Sequence, residues 1–341
     1  MESFLDSTLL TILVVITIAT LLALIRVQKR DRCLTHFDGY HVTLAEKDGR
    51  VTWGEVSVLS SGMELHYPGP RRNKKGFWQQ SFLYYRDQYD ALDGIYRSTA
   101  GLSDLQLASR ARYIQRTANP GLPRRVYRKM RNWIGMVRDA LVQTVSLLLG
   151  AAKGMATPAA SVLTRDQERV STLSAEIIGH AGNSFDPLLE RHLFTRVIID
   201  VTRQGERQSY CGYLADYTAN FLEIIDAQVN ALDEEFEVQA LKPGNILIDG
   251  LEIEVEDDRL VVENKTGRVI LLHRLIHRSE ARTLGAVVPD GFVASLRVGT
   301  QFDTDELEVV VGSADRVDML VPRTHAIVRH GVSGLSLEEL S

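Results

Sequence analysis

The chain has 341 residues, 45% of them hydrophobic, which is enough for two or three domains with their own cores and excludes a disordered tail. Its two cysteines, Cys33 and Cys211, lack metal-ligand spacing, which argues against a disulfide framework and favours a reducing compartment. The net charge of −5 is unevenly divided, because residues 26–150 carry 21 basic and 11 acidic side chains whereas residues 151–341 carry 18 and 31, so we expect the first half to face an anionic surface.

The first segment, Ser7 to Ile25, has 19 residues and no charge, which predicts a transmembrane helix over residues 7–25. Glu2 and Asp6 stand where a cleaved signal peptide has basic residues, so the helix is expected to stay attached. Basic residues follow it from Arg26 onward, and the positive-inside rule then predicts a single-pass protein of a bacterial-type inner (plasma) membrane. Its N-terminus would lie outside and its bulk in the cytoplasm. The alternative is a buried core helix.

Residues 34–100 are predicted to form a first small β-barrel. Alternating apolar residues from Gly39 to Tyr67, with a turn at Asp48-Gly49, are typical of a meander of strands. A loop with four basic residues, "PGPRRNKKG", follows. An aromatic-rich segment then closes the barrel, and its aromatic residues are Phe77, Trp78, Phe82, Tyr84 and Tyr85.

Residues 103–182 are predicted to be a basic helical region. Ser103 and Gln106 are spaced as a capping box, and "NPG" at 119–121 ends that helix. Nine basic residues and no acidic one lie between Arg110 and Arg138, which favours binding to anionic lipid head groups, with an apolar helix lying in the membrane interface. The predicted lipid-binding residues are Arg110, Arg112, Arg116, Arg124, Arg125, Arg128, Lys129, Arg131 and Trp133. The alternatives are a solvated charged face and an RNA-binding segment.

A second β-region begins with a short helix at Pro187, followed by the strand "RVIIDV", a turn at Gly205-Glu206, and a strand through Gly212. The glycine permits a sharp bend in a strand that curls round a small barrel. Asp216 and Asn220 are expected to hold the next connection through side-chain bonds to backbone N–H groups.

This order resembles the Sm/LSm family over residues 187–256. Gly212, Asp216 and Asn220 stand at the places of the family's first motif, and "GNILIDGLEIEV", residues 244–255, is similar to its second. The resemblance implies a bent five-stranded barrel whose two free edges pair between subunits, so a ring-shaped homo-oligomer is expected. Asp249, before Gly250, replaces the family's basic residue, which makes RNA binding there unlikely.

The segment around Gly54, residues 34–70, looks like a weaker copy of the same unit. Two unrelated meanders that share common turn residues are the alternative.

The acidic segment 257–341 is predicted to be a C-terminal β-subdomain with hairpins at Lys265–Gly267 and near Gly312. His273 and His277 have the spacing of paired helical metal ligands, but Arg274 and Arg278 would repel a cation. No phosphate-binding loop or catalytic motif occurs in the sequence. We therefore expect no metal site, no cofactor and no enzymatic activity.

Together these patterns predict an α+β membrane-anchored protein with one transmembrane helix, two small Sm-like or SH3-like β-barrels, a basic helical region between them and a C-terminal β-subdomain. The predicted function is a ring-forming scaffold that binds anionic lipid. A channel with a cytoplasmic barrel and a membrane-tethered RNA-binding protein are the alternatives.

Overall fold

The chain forms two compact units, residues 1–29 with 120–190 and residues 30–119 with 191–341. The computed structural model describes residues 30–72, 75–100, 102–118, 186–203, 205–231, 237–244, 248–256, 259–278, 280–297, 306–314 and 316–331, and the single residues 121, 122, 126 and 130. Very little of the first unit is included. The predicted transmembrane segment 7–25 and the predicted lipid-binding residues Arg124, Arg125, Arg128, Lys129, Arg131 and Trp133 lie outside the described residues.

The described residues contain three short α-helices, a 3₁₀ helix and 17 strands. The helices are α1 (Arg32–Thr35), the 3₁₀ helix Arg86–Ala91, α2 (Asp104–Ala118) and α3 (Pro187–His192). The first nine strands are β1 (His41–Glu46), β2 (Arg50–Val58), β3 (Gly62–Arg72), β4 (Trp78–Tyr85), β5 (Leu92–Arg97), β6 (Arg196–Arg203), β7 (Glu206–Tyr217), β8 (Phe221–Gln228) and β9 (Gln239–Leu241). The other eight are β10 (Leu251–Glu256), β11 (Arg259–Asn264), β12 (Ile270–His277), β13 (Glu280–Val288), β14 (Val293–Arg297), β15 (Leu307–Ser313), β16 (Arg316–Pro322) and β17 (Ala326–Gly331).

Thirteen strands form one sheet in the order β10-β11-β14-β2-β1-β5-β16-β8-β7-β6-β17, with β3 branching from β2 and β4 pairing with β3. Four strands form a second sheet in the order β13-β12-β15-β9. Neighbours are antiparallel except β14 and β2, which run parallel. Sequence neighbours therefore pair at the start of the chain, whereas the last strands insert between or beside earlier ones.

The large sheet curls. Arg203 on β6 donates from Nε to Asp93 Oδ2 on β5 at 2.8 Å, although β16, β8 and β7 lie between these strands in the sheet. A flat sheet would hold them roughly 19 Å apart at about 4.8 Å per strand spacing. The concave side of the curl encloses a core to which α1 contributes Cys33 and Leu34, together with Phe221 and Leu320 from distant strands.

Two turns between neighbouring strands have the glycine conformation that the sequence predicts. The β1–β2 turn places Gly49 at φ +86°, and the β6–β7 turn places Gly205 at φ +89°. Both angles lie in the left-handed region that glycine adopts without a steric penalty. The predicted turns at Asp48-Gly49 and Gly205-Glu206 are therefore confirmed.

The predicted fold class is wrong. Strands account for 58% and helices for 16% of the described residues, so the described part of the chain is mostly β-sheet and not the predicted α+β arrangement. In the part of the chain that the structure describes, no helix combines the length and the apolar character that crossing a bilayer requires. This finding overturns the predicted inner-membrane location and the description as a transmembrane protein.

Two predicted hairpins are wrong as well. Residues 265–267 connect β11 to β12, which belong to different sheets. Asn264 bridges those sheets by donating from Nδ2 to the carbonyl oxygens of Arg268 and Val288. Gly312 lies inside β15, where a Cβ would come within 2.9 Å of the Val238 side chain. The glycine therefore serves close packing at that position, and the chain does not turn there.

The Sm-like expectation also meets a topological difference. Strands β6, β7 and β8 pair consecutively as expected, but β17 covers the other side of β6 and β16 covers the other side of β8. The borders that were expected to pair between subunits are thus paired within one chain. Any association between copies must use other strand edges.

Candidate functional site

Strands β3 and β4 form a two-stranded ribbon, Gly62–Tyr85, whose base packs on the core. Met63 and Leu65 on β3 are buried and stand opposite Tyr84 and Phe82 on β4. The Tyr84 hydroxyl donates to the Glu46 carboxylate on β1. This buried end ties the ribbon to the sheet.

The outer half of the ribbon exposes its apolar face. Side chains alternate along a strand, so Trp78 and Phe82 project on the same side as the buried Tyr84. They are nevertheless 64% and 39% exposed, and the Phe82 and Tyr84 rings are 4.6 Å apart. We call Trp78 and Phe82 the aromatic row. The aromatic row lies on the same face of β4 as the buried Tyr84, but the other parts of the chain that the structure describes do not cover it.

Prolines in β3 explain why the ribbon leaves the sheet. The register between β3 and β4 shifts between His66 and Arg71, where the sequence reads Tyr-Pro-Gly-Pro-Arg. Proline has no N–H to donate and is confined to edge strands and bulges. The segment therefore cannot pair with a strand on its other side.

The outer edge of β4 pairs with no strand in the described ranges, because β4 is hydrogen-bonded to β3 alone. Leu83 and Tyr85 are exposed on the face opposite the aromatic row. Residues 65–86 contain five basic side chains and no acidic one. Strand β4 itself carries no charged side chain, so the result is an apolar edge strand flanked by basic residues, and exposed apolar edges favour pairing with another chain.

A second border strand of the large sheet carries negative charge. Strand β10 ends the large sheet and is hydrogen-bonded to β11 alone among the described strands. Its Leu251 and Ile253 are buried, while Glu252, Glu254 and Glu256 are exposed. Residues 249–258 contain six acidic side chains and no basic one. We call β10 the acidic edge.

The predicted motif residues Asp216 and Asn220 bind the segment that precedes β1. Arg32 donates from Nε and Nη2 to the two carboxylate oxygens of Asp216, each at 3.0 Å. Asn220 Nδ2 donates to Asp31 Oδ2 at 3.3 Å. Asp31 also caps α1 by accepting from the backbone N–H of Cys33. The motif therefore docks α1 onto the β7–β8 turn.

The turn itself is held by a residue that sequence reasoning missed. Thr218 Oγ1 accepts from the backbone N–H groups of Asn220 and Phe221 at 3.3 and 3.1 Å. The expectation that Asn220 would make such backbone bonds is not what the structure shows. A Thr three residues before the next strand is an ordinary turn signal, and it could have been recognised in the sequence.

Three predicted glycines lie where the chain approaches itself closely. A Cβ on Gly212 would be 2.6 Å from the Ile224 side chain, and one on Gly54 would be 2.0 Å from the carbonyl oxygen of His66. Gly250 has φ +80° and would place a Cβ 2.4 Å from the Lys265 carbonyl oxygen. Asp249 is exposed in the turn before β10, where it adds to the charge of the acidic edge.

The predicted lipid-binding arginines on α2 are divided. Arg110 is largely buried and donates to Asp318 Oδ2 and Oδ1 at 2.6 and 2.8 Å. Arg112 and Arg116 are exposed. Ser103 and Gln106 form the predicted capping box at the start of α2, which is therefore confirmed. Since Arg110 already neutralises a buried carboxylate, it does not belong to an exposed basic surface.

Asp318 is the centre of that buried charge cluster. Arg97 also donates to Asp318 Oδ2, at 3.0 Å from Nε and 2.8 Å from Nη2. Burial by itself raises the pKa of Asp318, but the guanidinium groups of Arg97 and Arg110 outweigh that effect and the pKa is lowered. The carboxylate thus stays charged and fixes α2 to β5 and β16.

A second cluster joins His36, Tyr113 and Glu223. His36 Nδ1 lies 2.7 Å from Glu223 Oε2, and the Tyr113 hydroxyl donates to Glu223 Oε1 at 2.8 Å. Glu223 is fully buried, and burial raises its pKa. Burial also raises the pKa of the nearby Cys33 thiol well above its usual value, so this cysteine is not an activated nucleophile.

A third cluster lies where β5 meets β6. Arg203 donates to Asp93, to Tyr210 at 2.6 Å and to Tyr96. His325 Nε2 lies 2.8 Å from the Asp93 carbonyl oxygen, and burial lowers the pKa of His325. All these polar groups satisfy one another, which is the arrangement of structural polar networks.

A cleft of about 870 Å³ runs between the two sheets, with Arg110, Asp226, His273 and Arg316 in its wall. Its cations already have partners, since Arg316 Nη1 lies 2.6 Å from Asp226 and Arg110 binds Asp318. The described residues hold no cluster of three or more potential metal ligands. His273 and His277 lie on strand β12, so the helical ligand spacing considered for them does not apply.

Comparison of the chain with protein-family models, with curated proteins and with solved structures finds no match. Function must therefore be inferred from the geometry and charge of the chain itself, in which the β3–β4 ribbon stands out.

Proposed function

We propose that this protein is a self-assembling structural protein without enzymatic activity, whose copies associate through the outer part of the β3–β4 ribbon. The observation that carries this proposal is the exposed aromatic row on the core-facing side of β4. Trp78 and Phe82 continue a hydrophobic face that the described part of the chain leaves open to solvent.

Energetics support a partner on this face. Strand β2 pairs with β3 only from Met63 to His66, so the outer part of the ribbon has two strands. A two-stranded ribbon is marginally stable in water unless a third strand or another layer packs against it. Covering two aromatic side chains removes several hundred Å² of apolar surface from water, and each Å² contributes about 25 cal/mol before the costs of association. The edge of β4 adds main-chain hydrogen bonds, as in other complexes formed by strand addition.

The chain's own charge supports a second copy as that partner. The ribbon, Gly62–Tyr85, carries four basic side chains and one acidic one, none of them on β4, whereas residues 151–341 carry 31 acidic and 18 basic side chains. Each copy therefore carries basic residues beside β4 and a surplus of negative charge in its second half. Association of two copies would bury the apolar face of the ribbon and bring its basic residues near acidic ones.

The test compares the full chain with the double variant Trp78→Thr/Phe82→Thr in sedimentation velocity over a range of concentrations. Threonine keeps the β-propensity of the strand while removing the aromatic surface. We expect the parent chain to associate and this variant to remain monomeric. The matched control Leu105→Gln/Ile327→Thr removes two exposed apolar side chains outside the ribbon and should associate like the parent.

Two results contradict the proposal. One is a parent chain that stays monomeric at all concentrations. The other is an aromatic-row variant that associates as strongly as the parent. Aromatic residues beside basic ones also suit single-stranded nucleic acid, so the same samples should be titrated with a labelled oligonucleotide. Binding that requires the aromatic row, without self-association, would assign the ribbon to nucleic acid.

A further inference from the structure

We infer that β4 of one copy pairs antiparallel with β4 of a second copy about a two-fold axis at Gln80, so that the ribbon contact is symmetric. This inference rests on the proposed self-association and names the surface that the ribbon meets. The outer edge of β4 has no paired strand in the described ranges, and a second β4 would continue the sheet there by strand addition. Such a contact closes with two copies.

The sequence around Gln80 is symmetric in chemical character. Residues 77–83 read Phe-Trp-Gln-Gln-Ser-Phe-Leu, so apolar residues stand on both sides of a polar centre. When two identical strands pair antiparallel about Gln80, residues equally far from Gln80 in opposite directions lie opposite each other. The strand is therefore complementary to a second copy of itself.

The exposed apolar side chains of this segment gain apolar partners in this register. Trp78 lies opposite Phe82 of the second copy, on the face of the aromatic row. Phe77 lies opposite Leu83 of the second copy, on the other face. All four side chains are at least 39% exposed in the single chain, and the two-fold axis makes each pair twice. Aromatic and apolar pairs of this kind are the units that stabilise neighbouring strands.

The polar side chains match in the same register. Gln79 lies opposite Ser81 of the second copy, and Gln80 lies opposite its own counterpart, where the two amide groups can hydrogen-bond. Because β4 carries no charged side chain, the paired strands place no like charges opposite each other.

A shift of the axis by one residue breaks this match. With the axis at Ser81, Phe82 would lie opposite Gln80 of the second copy. With the axis at Gln79, Trp78 would lie opposite Gln80 instead. Either shift places an exposed aromatic ring opposite an amide, so the aromatic row selects the axis at Gln80.

The antiparallel order also keeps the basic tips of the two ribbons apart. The eight residues of β4 span about 26 Å, which is about three Debye lengths at physiological salt, and the two tips lie beyond opposite ends of the paired strands. Asp87 and Asp90 are exposed just after β4, at the end where the tip of the second copy lies. Parallel pairing would place the two tips side by side. The basic residues of the tip are Arg71, Arg72, Lys74 and Lys75.

The experiment uses the expectation that Gln80 faces its own counterpart. Gln80→Lys and Gln80→Glu change an exposed side chain, and each variant alone places two like charges opposite each other. Each should therefore dimerise with a dissociation constant raised roughly two- to fivefold. An equal mixture should recover the parent affinity in sedimentation velocity, and native mass spectrometry should find one chain of each kind in the dimer.

The matched control changes an exposed glutamine outside the ribbon. Gln239→Lys and Gln239→Glu, on β9 of the small sheet, should associate like the parent both alone and mixed.

A second measurement does not depend on affinity. In a Cys211→Ser background the remaining Cys33 is buried, so an added cysteine reports contact between copies. Gln80→Cys should form a disulfide-linked dimer under mild oxidation, measured by intact mass. Tyr85→Cys should not, because its counterpart would lie roughly 30 Å away along the paired strands.

The outcomes separate the two proposals. A parent chain that stays monomeric, or a Trp78→Thr/Phe82→Thr variant that associates like the parent, overturns the proposed function and this inference with it. If the aromatic row is required but the Gln80 charge variants associate like the parent, or their mixture is no stronger than either alone, only the present inference fails. It also fails if Gln80→Cys forms no linked dimer, or if Tyr85→Cys links as readily.

Discussion

At the scale of single residues, the charged side chains singled out by sequence motifs serve mainly to join distant segments. Arg32 binds Asp216 across 184 positions of the chain, and Arg97 binds Asp318 across 221 positions. Buried ion pairs are strongly destabilised when one partner is removed, because the remaining charge stays in a poorly solvated place. The contacts of Asp216 and Asn220 are therefore explained by docking of α1.

Replacement of Arg32 tests this docking. The variant Arg32→Met removes the guanidinium from Asp216, whose side chain is 8% exposed. Because the Arg32 side chain is itself 40% exposed, we expect the free energy of unfolding to fall by about 1–3 kcal/mol in urea denaturation.

The matched control is Arg50→Met, whose ion pair with Asp48 lies on the surface and should contribute about 0–0.5 kcal/mol. Equal effects of the two variants would show that Arg32 has no docking role.

The pH dependence of stability should report His325. Burial lowers its pKa from the ordinary value of 6.5, so the unfolded chain takes up a proton more readily than the folded one. Stability from this group is present above pH 6.5 and is lost as the pH falls from there towards the lowered pKa, by at most about 1.4 kcal/mol per pH unit.

The variant His325→Gln should therefore have a lower free energy of unfolding than the parent at pH 7.5. The difference between the two proteins should be smaller at pH 5. Urea denaturation at the two values measures this change. The exposed His330→Gln is the control, and curves that run parallel for parent and His325→Gln would exclude the assignment.

At the scale of elements, the helix cap, two tight turns and the consecutive pairing of β6, β7 and β8 were predictable, whereas the partners of strands distant in sequence were not. The Asp48-Gly49 turn and the Ser103/Gln106 capping box follow from local residue types, and both are present. The order of the large sheet depends on insertions such as β16 between β5 and β8, which no local pattern encodes. The aromatic-rich segment at 77–85 was expected to close a barrel, and alternation alone does not tell whether an apolar face is covered.

The close approach of β3 to its antiparallel neighbour β2 at Gly54 should be sensitive to a single methyl group. Gly54→Ala would place a Cβ 2.0 Å from the backbone carbonyl oxygen of His66, so one of the strands must move. We expect the free energy of unfolding to fall by about 1–3 kcal/mol, measured by thermal or urea denaturation.

Ser57→Ala on the same strand changes a partly exposed side chain and should leave stability nearly unchanged. A Gly54→Ala protein as stable as the parent would contradict the close approach of Gly54 to the His66 carbonyl group.

At the scale of the whole molecule, the described part of the structure shows where some of the unevenly divided charge lies. The positive first half was interpreted as facing anionic lipid, but Arg110 lies in a buried cluster and five basic residues lie around the ribbon. The negative second half includes the acidic edge at the other end of the same sheet.

Hydrogen–deuterium exchange of the β4 backbone as a function of protein concentration tests this account most directly. In the monomer, amides on the outer edge of β4 exchange with solvent, and pairing with another strand protects them. We expect residues 78–85 to become protected as concentration rises in the parent chain, and to remain unprotected in Trp78→Thr/Phe82→Thr. Exchange in that segment that stays equally fast at every concentration would contradict the account.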